Sequence, residues 1–303
     1  MTPRIGIDLG GTKIETIVIA PDGSEQYRRR IDSPHGSYER TIAAIVDQVA
    51  AAEQAIGARA SIGIGIPGTS SPATGLVKNA NSTWLNGHPL QRDLDRALAR
   101  EVRLANDANC FALSEATDGA AAGAHVVFGV ILGTGVGGGV VVDRTVIVGR
   151  NAIAGEWGHN PLPWPEPEEY PGPGCYCGRR GCTEMFLSGG ALARSYRGAP
   201  GAVGREIAAA AERGEPNAVS AIEIHTKRLA RALAAVINVV DPDVIVLGGG
   251  LSNIEAFYRR VPELWGGWVF SDRVDTRLVR ARHGDASGVR GAAWLWPARD
   301  AEC

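Results

Sequence analysis

Two segments of this 303-residue chain repeat one pattern: a β-strand, a glycine-rich turn and a second strand. The first is RIGIDLGGTKIETIVIA at residues 4–20, and the second is AHVVFGVILGTGVGGGVVVD at residues 124–143. Each predicts a β-hairpin with a widened loop, because runs of apolar residues flank glycines that accept turn conformations. The repeat indicates two similar halves, each of which begins with a glycine-turn hairpin.

The segments that follow each hairpin alternate between helix and strand patterns. Apolar residues at helical spacing predict one helix over residues 41–57 and another over 227–240, which leads into a buried strand and a third glycine turn. The other predicted elements are a buried strand at 61–68, a polar helix at about 89–100, a strand at 101–107 and a closing helix at 287–296. The alternation predicts an α/β protein, and the length corresponds to roughly two domains.

The charge and the cysteine content argue against several classes of protein. A formal net charge of −2 gives no reason to expect nucleic acid or an anionic membrane as a partner. The longest apolar run, at residues 128–142, is too short and too rich in glycine to span a membrane. The strand pattern starts at residue 4, so we expect no signal peptide. Five cysteines, an odd number, then indicate a reducing cytoplasm rather than a disulfide scaffold.

The glycine turns have two possible uses. Segments 63–68 and 133–138 match the dinucleotide pattern GxGxxG, but neither lies between a strand and a helix, and no Walker-type GxxxxGK[ST] is present. A Rossmann or P-loop interpretation therefore fails. Glycine turns also let backbone N–H groups approach a phosphate closely, and Thr12 and Lys13 add donors. Two such hairpins across a cleft would hold the phosphates of a nucleotide, with the turn at 248–251 near the adenosine. The alternative is that each is only a tight turn.

Acidic and amide side chains stand beside these turns. Asp8 lies where its carboxylate could hold Mg²⁺, directly or through water. Asn106 and Asp107 follow an apolar strand, where Asp107 could accept the proton of an attacking hydroxyl group. The alternative, which the local sequence leaves equally open, is that this pair caps a helix. The candidate nucleotide-binding residues are Gly6, Asp8, Gly10, Gly11, Thr12, Lys13, Gly133, Thr134, Gly135, Gly137, Gly249 and Gly250.

Three cysteines fall within eight residues, CYCGRRGC at 175–182, directly after a proline-rich stretch. One imidazole, from the GEWGH segment, together with three thiolates suits a tetrahedral structural zinc site. A stretch with so many prolines cannot form a core of its own, so a metal would stabilise it. The candidate ligands are His159, Cys175, Cys177 and Cys182, and the alternative is a set of unligated thiols.

The set DLGGTK, IPG, NDAN, LGTGVGGG, GEWGH and CxCGxxGCxE resembles, in this order and from about residue 4 to 296, the ROK family of sugar kinases. The resemblance implies the two-domain α/β fold of the actin–hexokinase superfamily, with nucleotide and sugar in the cleft between the domains. It implies a small N-terminal domain of residues 1–112 plus a C-terminal helix at about 287–303. A larger domain of residues 113–286 would contain a zinc-binding loop at 159–184. ATP, Mg²⁺ and a structural Zn²⁺ are the implied cofactors.

The same resemblance implies a role for each site residue. Asp107 would be the catalytic base that acts on the 6-hydroxyl group of the sugar. His159 would use one ring nitrogen for zinc and the other for the sugar. The implied substrate-binding residues are Asn81, Asn106, Asp107, Glu156, His159 and Glu184.

Further segments indicate which sugar a member of this family would phosphorylate. KNANSTWLNG and GEWGHNPLPW are most similar to the bacterial fructokinases, which implies phosphorylation of fructose, with mannose as a second substrate. LGTGVGGG, NDANCFALSEA and ARHGDASGVRGAA are also similar to the N-acetylglucosamine kinases, so N-acetylglucosamine and glucose are the alternatives. A non-enzymatic sugar-responsive regulator is a remote alternative, since the hairpin at residue 4 leaves no room for a DNA-binding extension. We expect a homodimer with a sugar and ATP as its small-molecule partners.

Overall fold

The computed structural model describes residues 2–198 and 201–297. In chain order the strands are β1 (Arg4–Leu9), β2 (Lys13–Ile19), β3 (Glu25–Asp32), β4 (Ser61–Ile66), β5 (Thr69–Ser70), β6 (Val77–Lys78), β7 (Val102–Asn106), β8 (Val126–Leu132), β9 (Val136–Val142), β10 (Thr145–Val146), β11 (Val244–Gly248) and β12 (Arg277–Arg280). The α-helices are α1 (Tyr38–Ile56), α2 (Leu90–Leu98), α3 (Asp107–Thr117), α4 (Glu184–Leu187), α5 (Gly189–Ser195), α6 (Gly204–Glu212), α7 (Pro216–Val240), α8 (Ala256–Trp265) and α9 (Ser287–Trp294).

The two large sheets have the same strand order. The first runs β3-β2-β1-β4-β7, and the second runs β10-β9-β8-β11-β12. In each, three antiparallel strands are followed by two strands parallel to the first strand of the hairpin. The hairpins β1–β2 and β8–β9 confirm the repeat predicted from the sequence. Because the parallel strands of one sheet end at the same edge, the residues after β1, β4 and β7 are neighbours.

Apolar side chains attach most of the helices to the sheets. On the first sheet, α1 and α2 contribute the fully buried Ile45 and Leu94 to a core with the strands. On the second sheet, α7 and α8 contribute Leu229 and Phe257 to a separate core. Burial of such faces is the main favourable term in folding, so each sheet has its own source of stability.

Helices α3 and α9 cross each other and join the two sheets. Helix α3 packs on the second sheet, where a Cβ atom at Gly139 would lie 2.8 Å from the carbonyl oxygen of Ala108. Helix α9 packs on the first sheet, where a Cβ atom at Gly6 would overlap backbone atoms of α9. At the crossing, a Cβ atom at Gly291 would overlap the carbonyl of Cys110. Glycine is therefore required for this close approach.

Further differences from the sequence predictions lie at element ends and sheet edges, and helices α4, α5, α6 and α8 were not predicted. The helix predicted from residue 227 begins at Pro216. Strands β3, β10 and β12 were not predicted, because edge strands that face solvent lack a clear apolar alternation. The closing helix α9 ends at Trp294, and residues 298–303 of its predicted extension lie outside the described residues. The predicted domain boundary at residue 112 falls inside α3, and the domain division stays a prediction.

None of the helices in ranges 2–198 and 201–297 combines the length and the apolarity needed to cross a membrane.

Candidate active site between the two sheets

Asn106 and Asp107 stand where β7 ends and α3 begins. Asn106 is the N-cap of α3, and its Oδ1 accepts a hydrogen bond from the backbone N–H of Ala108 at 2.9 Å. Its Nδ2 donates to the carbonyl of Gly68 at 3.1 Å. The capping alternative is thus correct for Asn106. The cap also puts Asp107 in the first helical turn, where its Oδ1 accepts from the N–H of Ala108 at 2.7 Å.

A second carboxylate lies near Asp107 at the same sheet edge. Asp8 pairs in register with Gly65 of β4, which in turn pairs with β7. The pKa of Asp8 is raised to about 7, chiefly by burial and also by the charges of Asp107 and Glu15, against the opposing effect of Arg30. Two neighbouring carboxylates in a poorly solvated cleft favour binding of a proton or a cation. This arrangement fits the predicted Mg²⁺ site.

Asp107 combines solvent access with a raised pKa. Its side chain is exposed, so a substrate can reach it, although protein surrounds it in the cleft. Desolvation by that surrounding protein is the main cause of the raised pKa, and the charge of Glu156 adds to it. The hydrogen bond from Ala108 acts in the opposite direction. A carboxylate with a raised pKa is a stronger proton acceptor than an ordinary aspartate.

The glycine turns lie at the ends of the hairpins and present exposed donors. In the first turn the N–H of Gly10 bonds to the carbonyl of Lys13 at 2.9 Å, and in the second the N–H of Gly133 bonds to the carbonyl of Gly135 at 3.0 Å. The side chains of Thr12, Lys13 and Thr134 are exposed. Gly249, with φ of +78°, packs against the end of β8, so the third turn lies next to the second.

Two of the predicted nucleotide-binding glycines have another explanation. Gly6 lies within β1 beneath α9, as described above. A Cβ atom at Gly137 would lie 3.3 Å from the Cβ of Ala108 in α3. Close helix packing is thus a second reason for glycine at positions 6 and 137, and their assignment to nucleotide binding stays a prediction.

Glu184 connects the cysteine-rich loop to the second glycine turn. As the first residue of α4, it accepts a hydrogen bond from the N–H of Val136 through Oε2 at 2.9 Å. The same oxygen lies so close to Gly135 that a Cβ atom there would be 2.7 Å away. Glu184 is half-buried, whereas Glu156 and Asn81 are exposed. The loop therefore reaches the part of the cleft that the hairpin turn borders.

The four candidate metal ligands converge. The ligand atoms of His159, Cys175, Cys177 and Cys182 all lie within 4.8 Å of one another. Cys175 Sγ is 3.6 Å from His159 Nδ1, and Cys177 Sγ is 3.6 Å from Cys182 Sγ. Tetrahedral Zn²⁺ with Zn–S bonds of about 2.3 Å holds its sulfur ligands roughly 3.8 Å apart, so this donor set fits the metal.

A buried ion pair attaches the same loop to α7, which the sequence analysis missed. Glu169 accepts from Arg231 Nη2 at 2.9 and 2.7 Å and from Arg228 Nε at 2.7 Å. The side chains of Glu169 and Arg231 are only 7% and 3% exposed. Burial alone would raise the pKa of Glu169, but these hydrogen bonds outweigh it and lower the pKa. The proline-rich stretch thus has an ionic anchor besides the cysteine cluster.

Sequence reasoning also missed Tyr176. Its hydroxyl group lies 2.9 Å from His159 Nε2, the ring nitrogen expected to face the sugar. The only available sequence signal was its position between two candidate ligands.

The two five-stranded sheets have the same strand order, and glycine turns and carboxylates lie at the ends of their strands. This arrangement is that of an actin/hexokinase-like ATPase fold. Comparison with known proteins identifies the family within this fold. The ROK family model matches residues 4–299, and the chain belongs to the ROK family. The resemblance drawn from the motifs is confirmed.

Individual relatives support this assignment. The N-acetyl-D-glucosamine kinase of Salmonella paratyphi B (strain ATCC BAA-1250 / SPB7) is 41% identical over 301 residues, which cover 96% of this chain and 98% of the relative. The crystal structure of a ROK hexokinase from Thermus thermophilus has a TM-score of 0.83 at 33% identity and covers 96% of both chains. A ROK family glucokinase from Streptomyces griseus, in complex with glucose and AMPPNP, has a TM-score of 0.75 at 28% identity, with 97% of this chain and 98% of that chain covered.

Proposed function

We propose that this protein transfers the γ-phosphoryl group of ATP to the 6-hydroxyl group of a hexose. One observation carries the proposal: Asp107 lies in the first turn of α3, open to solvent, at the sheet edge that also presents Asp8. Membership of the ROK family supports it, as does the likeness to a hexokinase and to a glucokinase with glucose and a nucleotide analogue bound. Phosphoryl transfer needs chiefly alignment and charge neutralisation, which a cleft of this kind supplies.

Each part of the cleft has a proposed task. Asp107 accepts the proton of the attacking hydroxyl group, and its raised pKa makes it a stronger base than an ordinary aspartate. The turns at 10–13 and 133–135 bind phosphate oxygens through backbone N–H groups, and the turn at 248–251 borders the adenosine. Asp8 would hold Mg²⁺, which when bound would supply positive charge to neutralise the phosphate oxygens. The proposed sugar ligands are Asn81, Asn106, Glu156, His159 and Glu184.

We also propose that the Cys₃His cluster binds a structural Zn²⁺. Burial and the neighbouring thiols raise the pKa of Cys182 to about 12, and a divalent cation among the ligands would offset that effect. With the metal bound, the loop at 159–184 would be held in one conformation. Glu184 would then stay against the second glycine turn, and His159 would stay beside the proposed sugar site. The metal's contribution is thus positional.

N-acetylglucosamine is the sugar that the similarity to curated relatives favours. Fructokinase activity was expected from the sequence, but the curated relative named above is an N-acetylglucosamine kinase at 41% identity. Glucose is the second candidate, because the glucokinase with bound glucose shares the fold along nearly the whole chain. The cytoplasmic location and the homodimer stay predictions.

The test is a comparison of phosphorylation rates. ATP-dependent kcat/KM values for N-acetylglucosamine, glucose, mannose and fructose are measured side by side with the purified protein. We expect N-acetylglucosamine to give the highest value. A highest value for glucose would move the assignment to the second candidate, and turnover of none of the four sugars would contradict the proposed activity.

A further inference from the structure

Lys78 connects the two sides of the cleft in which the sugar site is proposed. It lies in the short strand β6, which follows β4 of the first sheet, whereas Asn151 lies in the loop that follows β10 of the second sheet. Lys78 Nζ donates a hydrogen bond to the carbonyl oxygen of Asn151 at 3.0 Å. Within residues 2–198 and 201–297, Lys78 forms no ion pair with a carboxylate. Its ammonium group is therefore directed to a backbone carbonyl on the other side of the cleft.

The backbone of Lys78 packs against the part of the first sheet that presents Asn106. Gly68, directly before β5, has φ of +71°, and a Cβ atom there would lie 2.3 Å from the carbonyl oxygen of Lys78. The carbonyl of Gly68 in turn accepts from Asn106 Nδ2 at 3.1 Å. Lys78 is thus two contacts away from a proposed sugar ligand.

The segment after β6 carries a second proposed sugar ligand, Asn81. This segment is held by Asn86, whose Oδ1 accepts from the N–H of Ala80 and whose Nδ2 donates to the carbonyl of Ala80, both at 2.9 Å. Two hydrogen bonds to one residue fix the backbone next to Asn81. Because only residues 79 and 80 separate Lys78 from Asn81, the ammonium group and this ligand belong to one fixed segment.

The carbonyl of Asn151 is attached to the second sheet together with Glu156, the proposed ligand that follows five residues later. The N–H of Ala154 donates to the carbonyl of Val148 at 3.2 Å, which closes the turn that contains Asn151. Gly155 packs so closely on β9 that a Cβ atom there would lie 2.5 Å from a backbone carbonyl oxygen of that strand. Glu156, the next residue, is therefore held beside the same strand.

We propose that Lys78 is a positioning residue that sets the separation between Asn81 and Asn106 on one side of the sugar and Glu156 on the other. This inference rests on the proposed kinase function and deepens it. A hexose can use the ligands of both sides only when they lie at hydrogen-bonding distance from its hydroxyl groups at the same time. The hydrogen bond from Lys78 holds the two sides at one separation, so less conformational freedom is lost when the sugar binds.

The variant that tests this role is Lys78→Met, which keeps most of the side-chain stem and removes the ammonium group. We expect the dissociation constant and the KM for N-acetylglucosamine to rise about 3- to 10-fold, the range for the loss of one hydrogen bond. The kcat and the KM for ATP should change by less than about twofold, because a saturating sugar itself holds the two sides together. Lys78→Arg can still donate to a carbonyl and should restore the sugar affinity to within about twofold of the wild type.

The matched control is Lys227→Met, which removes the same group from an exposed position of α7, among α6, α7 and α8. Its sugar affinity should equal that of the wild type. Calorimetric titration without nucleotide, with the four sugars of the rate comparison, measures affinity independently of turnover, and thermal unfolding is recorded for each variant. For Lys78→Met we expect a similar factor of loss for every sugar that the wild type binds, at an unchanged melting temperature, because the change affects the separation of the ligands and no single substituent of the sugar.

Four results would overturn the role of Lys78 while the kinase activity of the wild type stands. These are an unchanged sugar affinity in Lys78→Met, a loss that Lys227→Met matches, a loss that Lys78→Arg does not restore, and a rise of the KM for ATP equal to that for the sugar. The last result would indicate a general disturbance of the cleft.

The titrations also distinguish this inference from the proposed function. A wild type that binds one of the four sugars but phosphorylates none would contradict the kinase function, and the affinities of Lys78→Met and Lys78→Arg would still decide the role of Lys78. A wild type that neither binds nor phosphorylates any of the four sugars would overturn both.

Discussion

Replacement of Asp107 by asparagine removes the proposed base and leaves the local fold in place. Asp107 Oδ1 accepts from the N–H of Ala108 at 2.7 Å, and an amide oxygen can accept the same hydrogen bond. The N-cap of α3 is Asn106, so the helix still begins correctly. The change also removes a charge that helps to raise the pKa of Asp8, which relieves a repulsion. We therefore expect the free energy of unfolding to stay the same or to rise.

The expected loss of activity follows from the loss of the proton acceptor. General-base assistance contributes about 10²- to 10⁴-fold to a rate, which equals about 3 to 5 kcal/mol of transition-state stabilisation. We expect kcat for the Asp107→Asn variant to fall by that factor. The KM for the sugar should change by no more than about threefold, because the carboxylates of Glu156 and Glu184 remain to bind hydroxyl groups.

The assay is ADP formation with saturating ATP and a range of N-acetylglucosamine concentrations, with thermal unfolding recorded in parallel. The matched control is Glu39→Gln, which also neutralises an acidic residue in the first turn of a helix, in this case α1. Its kcat should equal that of the wild type. A kcat for Asp107→Asn within about tenfold of the wild type, at an unchanged melting temperature, would refute the assignment of Asp107 as general base.

Three further substitutions test the parts of the molecule that support the site. Cys182→Ser removes one thiolate of the cluster, and we expect the zinc content to fall below about half an equivalent, with a weaker affinity for the sugar. Glu169→Gln removes the buried carboxylate partner of Arg231 and leaves only the exposed Glu166 carboxylate at 3.7 Å, and we expect chemical denaturation to show a loss of about 3 kcal/mol. His225 is fully buried on Phe257, and burial lowers its pKa from 6.5 to about 3. Below pH 6.5 the unfolded chain therefore binds a proton that the folded chain does not, so the free energy of unfolding decreases as the pH is lowered. Between about pH 7.5 and pH 5 we expect the wild type to lose about 2 kcal/mol more than His225→Leu.

Each of these expectations has a control or a contradicting result. Cys110→Ser lies outside the cluster and should keep the full zinc content, so equal zinc loss in both variants would argue against the cluster as the metal site. Glu166→Gln removes the exposed and more distant carboxylate near Arg231, at 3.7 Å, and should cost little, and an equal loss would contradict the buried Glu169–Arg231 pair as the anchor. Identical acid dependence of the wild type and His225→Leu would mean that His225 does not titrate as its burial requires.

The features that could be predicted from the sequence are those set by neighbouring residues. The hairpins β1–β2 and β8–β9 follow from apolar strands on either side of a glycine turn, and both are present in the structure. One histidine and three cysteines predicted a metal site, although the Cys-x-Cys spacing is tighter than is usual for zinc, and the four side chains converge in the structure. Asn106 and Asp107 were open to two interpretations; the structure shows that Asn106 caps α3 with Asp107 in its first turn, and the role of Asp107 as a base stays a prediction.

The glycines show where local sequence stops being informative. Gly6 and Gly10 stand in one glycine-containing segment, yet Gly6 accommodates α9, which lies almost three hundred positions along the chain, while Gly10 forms the turn. Because glycine has no side chain, it permits a tight turn, a closely packed helix or a bound phosphate equally well. Only the neighbours that the fold supplies distinguish these uses.

The sequence by itself determined the repeated hairpins, the order of strands and helices near them, and the identity of the groups able to do chemistry. The tertiary structure decided which of those groups meet: Asp8 with Asp107 at one sheet edge, Glu169 with Arg231 across a buried face, and Tyr176 with His159. The physical reason is the difference in sequence separation over which the two kinds of interaction act. Turn and strand preferences act between residues close in sequence, whereas these pairs arise when two sheets and their crossing helices bury their apolar faces and bring distant segments together.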